Sequence, residues 1–214
     1  MIDDNRIATW ARGFTEPEDE PLRAARARSE EADIPAVSVY TGALVGWLTG
    51  VIRARNVVEI GSGGGYSGLW LLRGMDPKGS LTTIEIDPER QALAQRGFVE
   101  AGSNNRVRSI LGAALAVLPK LADASYDIVF LDAVKSEYVE YLDHARRLLR
   151  PGGLLLADNV WWSGRVVDGS RVDEDTQGLR DFAESVREDP HFSTTIFPVG
   201  DGLLAASWDP ERGS

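Results

Sequence analysis

The chain has no cysteine and only two histidines in 214 residues. Disulfides, thiolate-held zinc and a cysteine nucleophile are therefore excluded. Basic residues are also scarce, 23 against 33 acids, for a formal net charge of −10. A surface of that sign repels a phosphate backbone, and no basic stripe interleaved with aromatics overrides it locally, so nucleic acid is a poor partner. No apolar run approaches the ~20 residues that a bilayer-spanning helix needs. The opening MIDDNRIATW lacks the basic region and apolar run of a secretion signal. These absences lead to the expectation of a cytoplasmic protein with no membrane partner.

A composition of 43% hydrophobic and 26% charged residues is that of an ordinary globule. One domain over residues 1–214 is expected, with N-terminal helices in 1–53 and a core in 54–209. Apolar runs at 57–60, 81–86, 107–111, 126–131 and 154–157 alternate with helical patterns at 67–75, 88–101, 113–121 and 137–149. That order predicts a doubly wound α/β sheet, mostly parallel, with its crossovers right-handed and its strand ends on one rim. Two further runs, 191–197 and 203–208, are joined by a segment too short for a helix, which predicts a hairpin and an antiparallel last strand. Helical segments at 21–32 and 40–53 precede the first strand. The first of these is rich in Arg and Glu, a solvated face or else a lid or dimer contact. The one long irregular stretch is 161–177, a length that in compact domains is functional or mobile.

The segment VVEIGSGGGYS, from Val57 to Ser67, runs from a buried strand through a glycine turn into a helix, where backbone N–H groups face a ligand. Its spacing at Gly63, Gly65 and Gly68 also fits a dinucleotide site. Glu59 separates the two readings, because a carboxylate two residues before the turn suits an amino-acid ammonium and repels a pyrophosphate. That favours S-adenosylmethionine over NAD, with a helix-capping or loop-bracing carboxylate as the other role open to Glu59. Glu85, ending the second strand, suits ribose hydroxyls in either cofactor.

Two more strands end in acids, Asp132 and Asp158. Adjacent strands lie about 4.8 Å apart, so neighbouring strands would bring these carboxylates together, where they repel unless a proton or a cation intervenes. Asn159 adds a neutral oxygen, and an all-oxygen set suits magnesium, with manganese or calcium also admissible. Capping of helices is the alternative for both acids. Lys135, three residues after Asp132, projects from the same loop; a cation beside it would favour its neutral form and let it act as a base. Otherwise it is a surface lysine paired with Glu137.

Taken in order, VVEIGSGGGYSGLWLL, TTIEIDPE, GAALAVLPKL, FLDAVKSEYVEYL, LRPGGLLLADNVWWSGRV and PVGDGLLAA resemble the cation-dependent class I O-methyltransferases of the caffeoyl-CoA and catechol type. The resemblance implies S-adenosylmethionine contacts at Val37, Glu59, Gly61, Ser62, Ser67, Glu85, Ala114 and Asp132. It implies a divalent cation on Asp132, Asp158 and Asn159, catalysis by Lys135 and Asp132, and a homodimer formed through the N-terminal helices. The implied substrate is a hydroxylated aromatic small molecule whose vicinal oxygens complete the cation's shell. Where the family commonly has Asp-Ala-Asp-Lys this chain reads Asp132-Ala-Val-Lys135, and Ser163 replaces the Asn of plant-type relatives, which argues against a caffeoyl-CoA-like acceptor. Of Trp161 and Trp162, one is expected to pack as core and the other to wall a planar substrate. An NAD(P)-dependent oxidoreductase and a catalytically inactive S-adenosylmethionine-binding protein are the alternatives. The first lacks a Tyr-x-x-x-Lys helix or a suitably placed histidine.

Overall fold

In a computed structural model, which describes residue 10 and residues 13–213, the chain forms a seven-stranded sheet flanked by helices on both faces. Residues 1–9, with most of the acidic opening segment, residues 11–12 and residue 214 lie outside the described residues. The strands are β1 (Asn56–Ile60), β2 (Ser80–Glu85), β3 (Val107–Leu111), β4 (Tyr126–Leu131), β5 (Leu149–Ala157), β6 (Phe192–Phe197) and β7 (Leu203–Trp208). Their spatial order is β3-β2-β1-β4-β5-β7-β6. The first five run parallel, and β7 pairs antiparallel with both β5 and β6. The expected mostly parallel sheet with an antiparallel last strand is what forms.

The helices are α1 (Glu20–Glu31), α2 (Val39–Val51), α3 (Tyr66–Gly74), α4 (Pro88–Glu100), α5 (Ala114–Val117), α6 (Tyr138–Leu148) and α7 (Glu174–Glu188). Several start at a side-chain cap. Asp19, Ser38, Asp87 and Asp173 each accept backbone N–H groups from the first turn of the next helix, satisfying donors that the helix itself leaves open. Along β4 the side chains alternate between two cores: Ile128 and Phe130 pack with α1–α4, Val129 and Leu131 with α6 and α7. That two-residue period explains why β4 is buried at every position. Among the described residues no helix is long and apolar enough to cross a membrane.

Three elements differ from the sequence expectation. β5 begins at Leu149 rather than Leu154, because Tyr126 pairs with Leu149 and a register shift before Ile128 absorbs the intervening Pro-Gly-Gly. The helix after β3 is α only to Val117; Pro119 then sits in a 3-10 turn over Leu118–Lys120. α7 was not expected at all. The irregular stretch therefore ends at the cap Asp173 instead of Gln177, and a 3-10 segment, Trp162–Val167, lies inside it.

The chain builds outward from β1 to β3, then returns to lay β4 on the other side of β1. At such a reversal the connections leave the sheet in opposite directions and open a crevice at the strands' carboxyl ends. The parallel ladder continues one residue past each strand there. Gly61 N–H donates to Ile84 O at 2.9 Å, Asp132 N–H to Ile60 O at 2.9 Å, and Asp158 N–H to Leu131 O at 3.0 Å. The backbones of these residues are thereby fixed side by side on one rim.

Candidate active site

A cleft of about 330 Å³ occupies that crevice. Its floor is the glycine turn. Gly61 has φ +91°, and a Cβ there would stand 2.1 Å from the Asp132 carbonyl oxygen, so only glycine lets the two loops approach this closely. Ser62 and Ser67 line the cleft from the turn and the start of α3, and Val37 lines it from the segment before α2. The Ser62 hydroxyl is buried with no hydrogen-bond partner among the described residues, which leaves it free for a ligand. Glu85 also lines the cleft, with its carboxylate oriented by the N–H groups of Gly63 (2.9 Å), Ile86 (2.9 Å) and Asp87 (3.1 Å). Ala114 lies in an adjoining cavity of about 60 Å³ that shares Gly61, Glu85, Ile86 and Val134 with the cleft.

Glu59 sits one layer below and does not line the cleft. It is wholly buried, and its two oxygens accept the hydroxyls of Ser67 and Thr83, each at 2.6 Å. These bonds brace the glycine turn, and through Ser67 they connect the carboxylate to the cleft. Burial pushes the carboxyl up to about 7, against the pull of the two hydroxyls, and the nearby Asp132 and Glu85 raise it further.

At the other end the cleft is lined by Asp132, Lys135, Asn159 and Trp162. The registered pair Leu131 and Ala157 makes β4 and β5 neighbours, as the two-acid reading requires, so Asp132 and Asp158 come next on adjacent strands. Asp158 is 2% exposed, and its Oδ1 has no hydrogen-bond partner among the described residues. Burial, and then the charge of Asp132, push its carboxyl well above the ordinary range. Asn159 adopts φ +61°, a left-handed conformation that asparagine tolerates better than most residues, and its Nδ2 donates to Asp158 Oδ2 at 3.2 Å. The Lys135 ammonium is buried, 3.1 Å from Asp132 Oδ1 and 2.8 Å from the Tyr138 hydroxyl. The surface pairing with Glu137 does not form; Glu137 instead accepts the Tyr141 hydroxyl. Among the described residues, no three of His, Cys, Asp and Glu are grouped to hold a metal ion; the oxygens gathered here are two carboxylates and an amide.

The family model for O-methyltransferases matches residues 17–207. The chain belongs to that family. A protein of Mycolicibacterium vanbaalenii, provisionally named an O-methyltransferase, is 43% identical over 193 residues, spanning 90% of this chain and 85% of its own. The crystal structure of the O-methyltransferase TomG from Streptomyces achromogenes, involved in tomaymycin synthesis and solved in complex with S-adenosylmethionine, superposes with a TM-score of 0.88 at 34% identity. That match covers 98% of this chain and 100% of TomG. An O-methyltransferase from Bacillus cereus, solved in complex with S-adenosylhomocysteine, gives 0.87 at 30% identity over 95% of this chain and 97% of its own. The oxidoreductase alternative is set aside by this membership.

One site residue of this O-methyltransferase was missed in the sequence. Tyr138, wholly buried, accepts from Lys135 and contacts the carbonyls of Leu131 (3.2 Å) and Asp158 (3.4 Å). Burial, and then Asp132 and Asp158, raise its phenol well above the ordinary value, so it stays neutral and fixes the lysine. The Lys-x-x-Tyr spacing across one helical turn was the available signal. The tryptophan pair divides differently from the expectation: Trp161 is 37% exposed and is no core residue, and Trp162 itself packs against the core. Trp162 lines the cleft, whereas the Trp161 ring packs on Gly202, where a Cβ would meet it at 2.7 Å.

Proposed function

We propose that this O-methyltransferase moves the methyl group of S-adenosylmethionine to one hydroxyl of a catechol-like small molecule, with a divalent cation, magnesium by preference, beside the transfer site. The observation that carries the reading is the gathering of Asp132, Lys135 and Asn159 at one end of the cleft over Asp158, whose buried Oδ1 lacks a partner among the described residues. A buried carboxylate oxygen in that state fits a hard cation, and Asp132, Asp158 and Asn159 would hold it. When bound, S-adenosylmethionine supplies an electrophilic methyl on a sulfonium, and the cation supplies positive charge that favours the ionised form of a nearby hydroxyl.

The chain's own residues do the rest. Ser62 and Ser67 bind the methionyl end, Glu85 takes the ribose hydroxyls, and Ala114 packs beside the adenine. Once it has released its own third proton to solvent, Lys135 Nζ, positioned by Tyr138 and Asp132, receives the proton of the reacting hydroxyl. The oxygen then forms a bond to the methyl carbon as the carbon–sulfur bond breaks, releasing a thioether. Trp162 walls the planar acceptor, and most of the acceleration comes from positioning and charge. In a methyl-transfer screen, catechols are expected to react and simple phenols to react poorly. Activity is expected to disappear on chelation and return with magnesium. Catechol methylation that survives removal of all divalent ions removes the cation from this reading.

The enzyme acts as a homodimer in the same proposal. α2 carries no charged residue along VYTGALVGWLTGV, yet Trp47 is 63% and Val51 57% exposed on its outer side. An uncharged helix of this kind is ordinarily covered. Trp47→Glu is expected to convert a dimer to a monomer in sedimentation velocity; wild-type protein that sediments as a monomer overturns this.

A further inference from the structure

We propose that Asp201, in the turn between β6 and β7, is a positioning residue that sets the Trp162 wall for the acceptor. The inference rests on the reading of the Trp162 end of the cleft as the acceptor site. Trp162, Ser163 and Gly164 have φ values of +49°, +53° and +80° in succession. Two adjacent non-glycine residues in that region persist only where their surroundings hold them. Asp201 does the holding on both sides of the tryptophan. Its carbonyl accepts Trp161 N–H at 2.9 Å, and its carboxylate oxygens accept Ser163 N–H at 2.8 and 3.0 Å. The neighbouring Gly202 carbonyl accepts Val160 N–H at 3.1 Å.

The downstream half of the same loop has a separate brace. The Arg180 guanidinium of α7 donates to the carbonyls of Val166 (2.9 Å), Arg171 (2.7 Å), Arg165 (3.1 Å) and Asp168 (2.7 Å). The chain's own hydrogen bonds therefore brace both halves of the loop, and its cleft-facing residue answers to Asp201. The Trp162 ring lies 5.9 Å from Lys135 Nζ, so a loosened wall weakens the acceptor's seat beside the base.

Asp201→Ala is expected to raise KM for a catechol acceptor about tenfold, with kcat and the affinity for S-adenosylhomocysteine within about twofold of wild type. Without any ligand, amide exchange at Ser163, whose acceptor is the lost carboxylate, is expected to accelerate, while that at Trp161, held by the Asp201 carbonyl, and at 165–171 holds. Asp201→Asn keeps an acceptor oxygen and is expected to restore most of the KM; if it is as impaired as Asp201→Ala, charge and not positioning is responsible. Should Asp201→Ala fail to fold, Asp201→Glu, which displaces the carboxylate by one methylene, is expected to give an intermediate KM. An acceptor KM unchanged in the folded variant overturns the proposal. A wild-type enzyme that methylates no catechol instead defeats the functional reading, and the ligand-free exchange still decides the role of Asp201.

Discussion

Lys135→Met is expected to lower kcat by roughly 10²–10⁴-fold, the usual contribution of a general base, while the affinity for S-adenosylhomocysteine stays within about twofold. Methionine preserves the buried aliphatic stem, and Tyr138 still has the Leu131 carbonyl within reach at 3.2 Å, so the loop keeps its anchor. What disappears is the nitrogen that receives the proton. The competing role is that of a counter-ion, since the ammonium lies 3.1 Å from Asp132 Oδ1. Lys135→Arg separates the two, because a guanidinium keeps the positive charge but does not give up its proton in proteins. If Lys135 is the base, arginine rescues nothing. A Lys135→Arg enzyme with more than about a tenth of wild-type kcat would sink the assignment and leave only the ion pair.

That lysine also marks where sequence reasoning stopped. The glycine turn and the acids at strand ends were legible because a parallel strand is a short apolar run that announces its own end, and the first polar residue beyond it must stand on the rim. Adjacency of β4 and β5 was a supposition, and the register of Leu131 with Ala157 supplies it. α7 did carry a signal: Leu179, Phe182 and Val186 recur at i, i+3 and i+7 behind the capping Asp173, but the stripe is narrow, lies amid a charge-dense exterior and follows an irregular loop. Asp201, by contrast, was illegible. Its partners are backbone N–H groups about forty positions earlier, and main-chain donors leave no trace in residue identity. The direction of Glu59 likewise depends on Ser67 and Thr83, which meet only once α3 and β2 are packed on β1.

Asp158→Asn is expected to abolish the stabilisation of the protein by magnesium and to lower catechol methylation at least about 10²-fold. In wild type, magnesium at about a hundred times its Kd is worth ~2.7 kcal/mol, or roughly 5–10 °C in Tm for a chain of this length. The dependence on pH carries the argument further. Burial and Asp132 raise the folded-state pKa of Asp158 above its ordinary value of 3.8, and burial raises Glu59 from 4.5 to about 7. A raised folded pKa means that the native state holds the proton more tightly than the unfolded chain does. The associated stability is fully present below the unfolded pKa and is lost as pH rises through the folded one. Without a cation, these two groups therefore make the protein less stable as pH climbs from about 4 towards 7. A cation on Asp158 competes with that proton, so the magnesium-induced rise in Tm is expected to be small at the acid end of this window and to grow through it. In Asp158→Asn the magnesium response vanishes at every pH, while the part of the acid-side slope due to Glu59 persists. A magnesium shift of equal size at both ends of the window, or one retained in the variant, places the cation somewhere other than Asp158.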